Sequence, residues 1–325
     1  MLIAKPVSEA GRFAKKAKIL LGGRNNHQHL FRQAVIQSPG FLPLVAQKDQ
    51  EGIFRDFLKA ANVSSLEDAQ KLSSEELVRA NADLVFRSVN GSFTFGPAVD
   101  GGFVPALPGQ LLARGEFNRH VKLMIGHNQD EVSNVEPNFS GNWLTTQGLY
   151  FTPPYITNNK DFNEHTAYIF PDAKQDVQDY INNKLYPPVF DGSQAAGYRD
   201  QISRSAAFTS ESIFTCNTFY LNKAFHNESY SYQFSVAPAL HGDDVPYSYY
   251  NGPSPAVKND TVAHTLQDYI INFAQKGDPN GPTVPKFQNY RHGHKLINLN
   301  TTGIMPIDDE TANERCNWWQ KALYA

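Results

Sequence analysis

Glu131 and His241 are the residues whose types and spacing best fit chemistry. Each follows a run that reads as a buried strand: Glu131 lies five residues past Val121–Gly126, and His241 lies six past Tyr230–Ser235. Open α/β sheets carry their active groups at that end of their strands. A carboxylate from one such loop can hydrogen-bond an imidazole from the other. That fixes the tautomer and stabilises the imidazolium formed when the ring takes a proton from a serine. Asp243 and Asp244 beside His241 compete for the role of acid on residue type alone. Most loop carboxylates and histidines are plain surface groups, so spacing alone makes the pair candidates and nothing more.

Other reactive side chains lack partners at useful spacing. His27-Gln28-His29 and His292-Gly293-His294 could each be half of a metal site, but no third ligand is placed to help, and no metal is expected. Cys216 and Cys316 also lack metal-ligand spacing, and by composition they could be free core thiols. Asn-x-Ser/Thr triplets occur at Asn62, Asn90, Asn138, Asn227, Asn259 and Asn300. They are glycan acceptors only if the chain enters the secretory route. The segment Met1–Leu21 offers only Ile19-Leu20-Leu21 as an apolar run, too short for a signal-peptide core. The residues alone therefore leave a cytosolic protein or one whose true beginning is missing.

The elements that would hold Glu131 and His241 can be read from pattern. Arg32–Gln37 ahead of Ser38-Pro39-Gly40 is a short buried strand ended by a turn. Ser64 with Glu67, and Ser73 with Glu76, have capping-box spacing and predict helices through Leu66–Leu72 and Leu77–Phe86. Val121–Gly126 is a second buried strand that runs into a polar loop, His127–Glu131. Tyr198–Phe225 is helical, and Tyr230–Ser235 alternates as a strand. Val262, Leu266, Tyr269, Ile270 and Phe273 repeat at helical spacing, with Gly277 placed to end that helix. Helices alternating with buried strands predict an α/β sheet.

Composition narrows the function classes. The 325 residues are 41% hydrophobic and only 19% charged, against about 25% charged in an average soluble domain, so the chain has a core and is not disordered. A net charge of -3 and no long run of Lys and Arg leave no nucleic-acid footprint. No apolar run approaches the roughly 18 residues of a membrane span. A small molecule is the expected partner.

Four segments in order carry a resemblance: Phe95-Gly96-Pro97-Ala98-Val99-Asp100-Gly101, Gly126–Glu131, Ala239–Tyr247 and Phe273–Asn280. Together they resemble the type-B carboxylesterases, a family of lipases, fungal esterases and cholinesterases, from about Gly22 to the last residue. The resemblance implies an α/β-hydrolase fold and hydrolysis of a neutral or hydrophobic carboxylic ester without metal or organic cofactor. Glu131 would be the acid and His241 the base, in the family's chain order of serine, acid, histidine. It also implies a Cys216–Cys316 disulfide and, with it, secretion.

Two departures stand out. Where the family would show Gly-Glu-Ser-Ala-Gly, the chain reads Pro6-Val7-Ser8-Glu9-Ala10-Gly11. Pro6 and Ala10 replace both glycines of Gly-x-Ser-x-Gly, no strand is predicted before Ser8, and the oxyanion loop is missing. Ser8 is therefore not assigned as the nucleophile. Residues 1–325 read as one carboxyl-terminal portion of such an enzyme, truncated at the amino end so that the first strands and the nucleophile elbow are lacking, and inactive alone. The alternatives are a non-catalytic cholinesterase-like binding module or a decayed gene product. Beside the acid, the sixteen residues Val132–Gln147 separate Glu131 from the Gly148 that would complete Asp-Glu-Gly. Val codons begin GT and one Gln codon is CAG, so residues 132–147 read as an intron translated in frame or as a loop insertion.

Overall fold

The computed structural model describes residues 2–4, 31–40, 47–87, 94–95, 99, 101, 104–132 and 156–325. Among the described residues, six strands form one sheet in sequence order: β1 (Leu2–Ala4), β2 (Gln33–Gln37), β3 (Lys122–Asn128), β4 (Tyr230–Phe234), β5 (Lys295–Asn300) and β6 (Gly303–Asp308). Neighbours from β1 to β5 are parallel, and β6 folds back antiparallel on β5. The described helices are α1 (Gln47–Ala60), α2 (Leu66–Ala69), α3 (Ser74–Phe86), α4 (Pro108–Arg114), α5 (Asn159–Ile169) and α6 (Gln175–Tyr180). They continue with α7 (Gln201–Ser210), α8 (Cys216–Ala224), α9 (Val245–Ser248), α10 (Asp260–Lys276) and α11 (Glu314–Trp319). The expected α/β arrangement is present.

Why β2 and β3 are apolar on both sides follows from what covers them. Ala34 and Ile36 of β2, with Leu123 and Ile125 of β3, face one buried cluster, while Val35 and Met124 face another. Side chains alternate across a strand, so two covered faces need an unbroken apolar run. On the first face α4 to α8 and α11 gather Phe162, Phe170, Phe208, Tyr186 and Trp319. On the second, α10 lays down Val262, Leu266, Tyr269, Ile270 and Phe273, and stops at Gly277, whose φ of 70° suits a residue without a Cβ.

Several boundaries differ from the sequence reading. β3 runs to Asn128, so His127 and Asn128 belong to a buried strand and not to a polar loop. Their polar side chains hid the strand, whose backbone pairs with β4 as far as Asn128 opposite Phe234. The Ser73–Glu76 capping box forms, but the preceding helix is capped by Ser65, one residue past Ser64, and ends at Ala69. Tyr198–Phe225 is not one regular helix: a π turn, Glu211–Thr215, is inserted between α7 and α8. A strand does precede Ser8, contrary to expectation. β1 is only three residues long, too short to show a period, and its register is set by pairing of Leu2, Ile3 and Ala4 with Ala34, Val35 and Ile36. Ser8, His27 and His29 themselves lie outside the described residues, as do Asn90, Asn138 and residues 133–147.

Covalent and polar ties fix the first face. Cys216 at the start of α8 is bonded to Cys316 in α11, with Cα atoms 5.0 Å apart and a separation of 100 residues. A loop of that size is worth about 4 to 5 kcal/mol in the chain-entropy account. Glu211 is forked by Arg315 through two bonds of 2.7 Å and also accepts the Tyr186 hydroxyl at 2.7 Å. Among the described residues, no carboxylate pairs with the buried Arg204. It donates to the Tyr186 and Asn182 carbonyls, lies 3.6 Å over the Phe162 ring, and burial brings its pKa down to about 10.

Candidate active site

The site is built where β3 and β4 end side by side. Past the paired strands, Gln129 donates to the Phe234 carbonyl at 2.9 Å and Asp130 to the Ala239 carbonyl at 3.1 Å. These two bonds zip the loops together, and the next residue on one side is Glu131 while two beyond Ala239 on the other is His241. Gly242, with φ of 90°, turns the chain away behind the histidine, a conformation a side chain would strain.

Glu131 and His241 meet. His241 Nδ1 lies 2.6 Å from Glu131 Oε2, with the carboxylate fully buried and the imidazole 5% exposed. An ionised carboxylate only accepts, so Nδ1 carries the proton and Nε2 is left as the basic nitrogen. The second carboxylate oxygen, Oε1, accepts the Asn128 backbone N–H at 2.8 Å. Burial works against ionised Glu131, but His241, the Ser38 hydroxyl and the Asn128 N–H outweigh it and hold the carboxyl below its ordinary range. Burial likewise works against the imidazolium, and Glu131 outweighs it, so His241 titrates above its ordinary value.

Neither neighbouring aspartate makes this bond. Asp243 Oδ2 accepts the Leu240 backbone N–H, and Asp244 Oδ2 accepts from the Tyr232 hydroxyl at 2.9 Å and the Gln37 amide at 3.0 Å. Asp244 is wholly buried, and that burial, with the Glu131 charge added, pushes its pKa up to about 6. Tyr232 can reach it because Gly126 has no side chain: a Cβ there would fall 2.0 Å from the tyrosine ring.

Three contributors escaped the sequence reading. Ser38 stands at the end of β2 with φ of 47° and supports Glu131; its place straight after a strand was the available signal. Asn128 sits three residues before Glu131, inside what read as loop. Phe214, in the π turn, packs its ring 4.5 Å from that of His241 and has no sequence signal at all. His292 and His294 lie in a turn before β5, and among the described residues no group of three or more His, Cys, Asp or Glu could hold a metal. No described helix is long and apolar enough to cross a membrane.

Comparison with known proteins gives a consistent result. The Carboxylesterase family matches residues 14–319. Carboxylesterase patB of Aspergillus clavatus is 34% identical over 297 residues, which is 90% of this chain and 50% of that protein. A secreted lipase of Arthroderma benhamiae is 28% identical over 312 residues, covering 90% of this chain and 55% of the lipase. The chain thus spans about half the length of the curated relatives it matches. Among solved structures, Aspergillus niger EstA superposes with a TM-score of 0.71 at 18% identity, over 95% of this chain and 62% of that one. A PNB esterase does so with a TM-score of 0.67, also at 18% identity, over 96% and 61%. At that identity the likeness shows the fold, that of the α/β-hydrolases.

Proposed function

Because this chain belongs to the carboxylesterase family, we propose that it carries the acid and the base of a serine ester hydrolase, Glu131 and His241. The observation behind this reading is the buried 2.6 Å bond between them. With Nδ1–H given to Glu131, Nε2 takes the proton of a serine hydroxyl as its oxygen attacks the ester carbonyl. The same proton then goes to the departing alcohol. Water repeats the sequence to free the acid and the serine. Glu131 stays ionised throughout, holding the ring and offsetting its transient charge. The substrate is a small neutral or hydrophobic carboxylic ester, and the chemistry needs no metal or organic cofactor.

The serine is not assigned within this chain, since Pro6 and Ala10 flank Ser8 where the strained elbow needs glycines. The test is hydrolysis of short-chain 4-nitrophenyl esters. The 325-residue chain alone is expected to be inactive; activity that disappears in Ser8→Ala would overturn this. An intact protein with its nucleophile segment is expected to turn ester over and to lose that activity in His241→Ala. A second reading, favoured by the same Pro6 and Ala10, is a binding module that keeps the fold and the remnants of the site. A folded intact protein with no turnover would favour it. Residues 132–147 belong to the mature protein only if the transcript keeps their codons, which sequencing across that junction decides.

Secretion is part of this reading. The Cys216–Cys316 disulfide suits an oxidising compartment, and the secreted lipase among the relatives agrees with it. Asn62 is exposed, while Asn227, Asn259 and Asn300 are half-buried at helix and strand ends, accessible enough to be glycan sites; Asn90 joins them in this proposal on its triplet alone. Intact-mass loss on endoglycosidase treatment of secreted material tests it; an unmodified secreted chain would sink the glycan assignment.

A further inference from the structure

We infer that Phe214 is a positioning residue for His241: its ring, held in place by the π turn, fixes the imidazole so that Nδ1 stays on Glu131. This rests on the reading of His241 as the base. A hydrogen bond at Nδ1 restrains one edge of an imidazole that turns about two side-chain torsions. A contact on the ring face restrains it further, and misplacement by about 1 Å is enough to cost a catalytic group much of its effect. Phe214 supplies a contact of that kind, with ring centroids 4.5 Å apart and planes inclined by 39°.

The ring is fixed from three sides. Phe214 is 2% exposed and packs with Val132, Ala206 and Ile213. Its edge presses on Gly40, where a Cβ would lie 2.6 Å from the phenylalanine Cε1, so only glycine leaves the ring its place. That loop is also tied to α8, since the Asn217 amide donates to the Pro39 carbonyl at 2.7 Å. Ser38, two residues before Gly40, supports Glu131, so one short loop braces both members of the pair.

The π turn sets the direction. Inserting one residue into the helical ladder shifts the side chains that follow, and such bulges recur at functional sites. Here both ends of the turn are anchored to the C-terminal helix: Glu211 at its start by Arg315, and Cys216 just past its end by Cys316. The turn cannot relax to regular helix without breaking those ties.

The test is the tautomer of neutral His241, read from the ¹⁵N shifts of both ring nitrogens in the labelled full chain. Wild type is expected to hold the Nδ1–H form. Phe214→Ala and Gly40→Ala are expected to lose that preference, and Phe214→Tyr to keep it. Ile213→Ala, which removes volume from the same cluster but leaves the ring on His241, is expected to lower the melting temperature without moving the tautomer. Retention of the Nδ1–H form in Phe214→Ala, or its equal loss in Ile213→Ala, overturns the inference. A wild type with no Nδ1–H preference instead refutes the Glu131–His241 pair beneath it, and this inference with it.

Discussion

Glu131 is fully buried and Glu211 13% exposed, and each meets a cationic side chain, the first bonded to His241 at 2.6 Å and the second forked by Arg315 at 2.7 Å. Their partners separate them. Arginine stays charged at any working pH, so Glu211 and Arg315 form a permanent clamp, to which the Tyr186 hydroxyl and the Asn313 amide add. Histidine changes charge near neutrality, so Glu131 serves as a support whose cation comes and goes. The clamp fastens the π turn to α11; the other pair, in the proposed function, handles a proton. Similar carboxylate surroundings thus give a fastener or a proton switch according to the pKa of the cation opposite.

The comparison can be broken at either pair. The largest effect is expected at the switch: Glu131→Gln in an intact enzyme should lower kcat by about 10⁴-fold, because the amide favours the wrong tautomer. Its melting temperature should change far less. Next comes the clamp: Glu211→Ala leaves Arg315 half-covered with no anion and should cost about 3 kcal/mol or more in denaturant unfolding. Equal stability losses in the two variants would erase the distinction.

Asp244 sharpens it. Its folded pKa of about 6 lies above the ordinary 3.8, so the stability it contributes is present below 3.8 and lost as pH rises through about 6. Asp244→Asn should therefore gain stability over wild type on going from pH 4 to pH 8, by about 3 kcal/mol at most. A difference between the two proteins that does not vary with pH would count against it. The smallest effect expected is in coupling energy. His241 has a raised pKa, so its bond to Glu131 contributes fully below 6.5 and fades as pH rises through the folded value. Double-mutant cycles should show Glu131–His241 coupling weaker at pH 9 than at pH 5.5, and Glu211–Arg315 coupling unchanged.

Much of this was legible in the sequence because local pattern and final position agree. Ala34-Val35-Ile36 and Leu123-Met124-Ile125 are apolar at every step and lie between two covered faces. Gly277 and the Ser73–Glu76 box end and start helices as their chemistry dictates. What was not legible depends on partners far away in the chain. His127 and Asn128 look like loop until β4 pairs with them. Glu211–Thr215 are ordinary helix residues, and nothing among them announces a π turn held by Arg315 and Cys316 about 100 positions later. The spacing of Ser64 and Glu67 pointed to a cap at Ser64, whereas the bond from the Asp68 amide puts the cap at Ser65. Glu131 and His241 were singled out by their place past the ends of strands and by the family resemblance, but the ring that lies against His241 required the tertiary fold.

The disulfide has one more consequence, for proteolysis. Cys216 and Cys316 enclose β4, His241, α10 and the β5–β6 hairpin in a single covalent ring. A protease that cuts after exposed Lys258 therefore releases no fragment: the nicked molecule stays in one piece on a non-reducing gel and separates only when the thiols are freed. The strand that leads to His241 and the helix that clamps the π turn remain physically joined even after the backbone between them is severed.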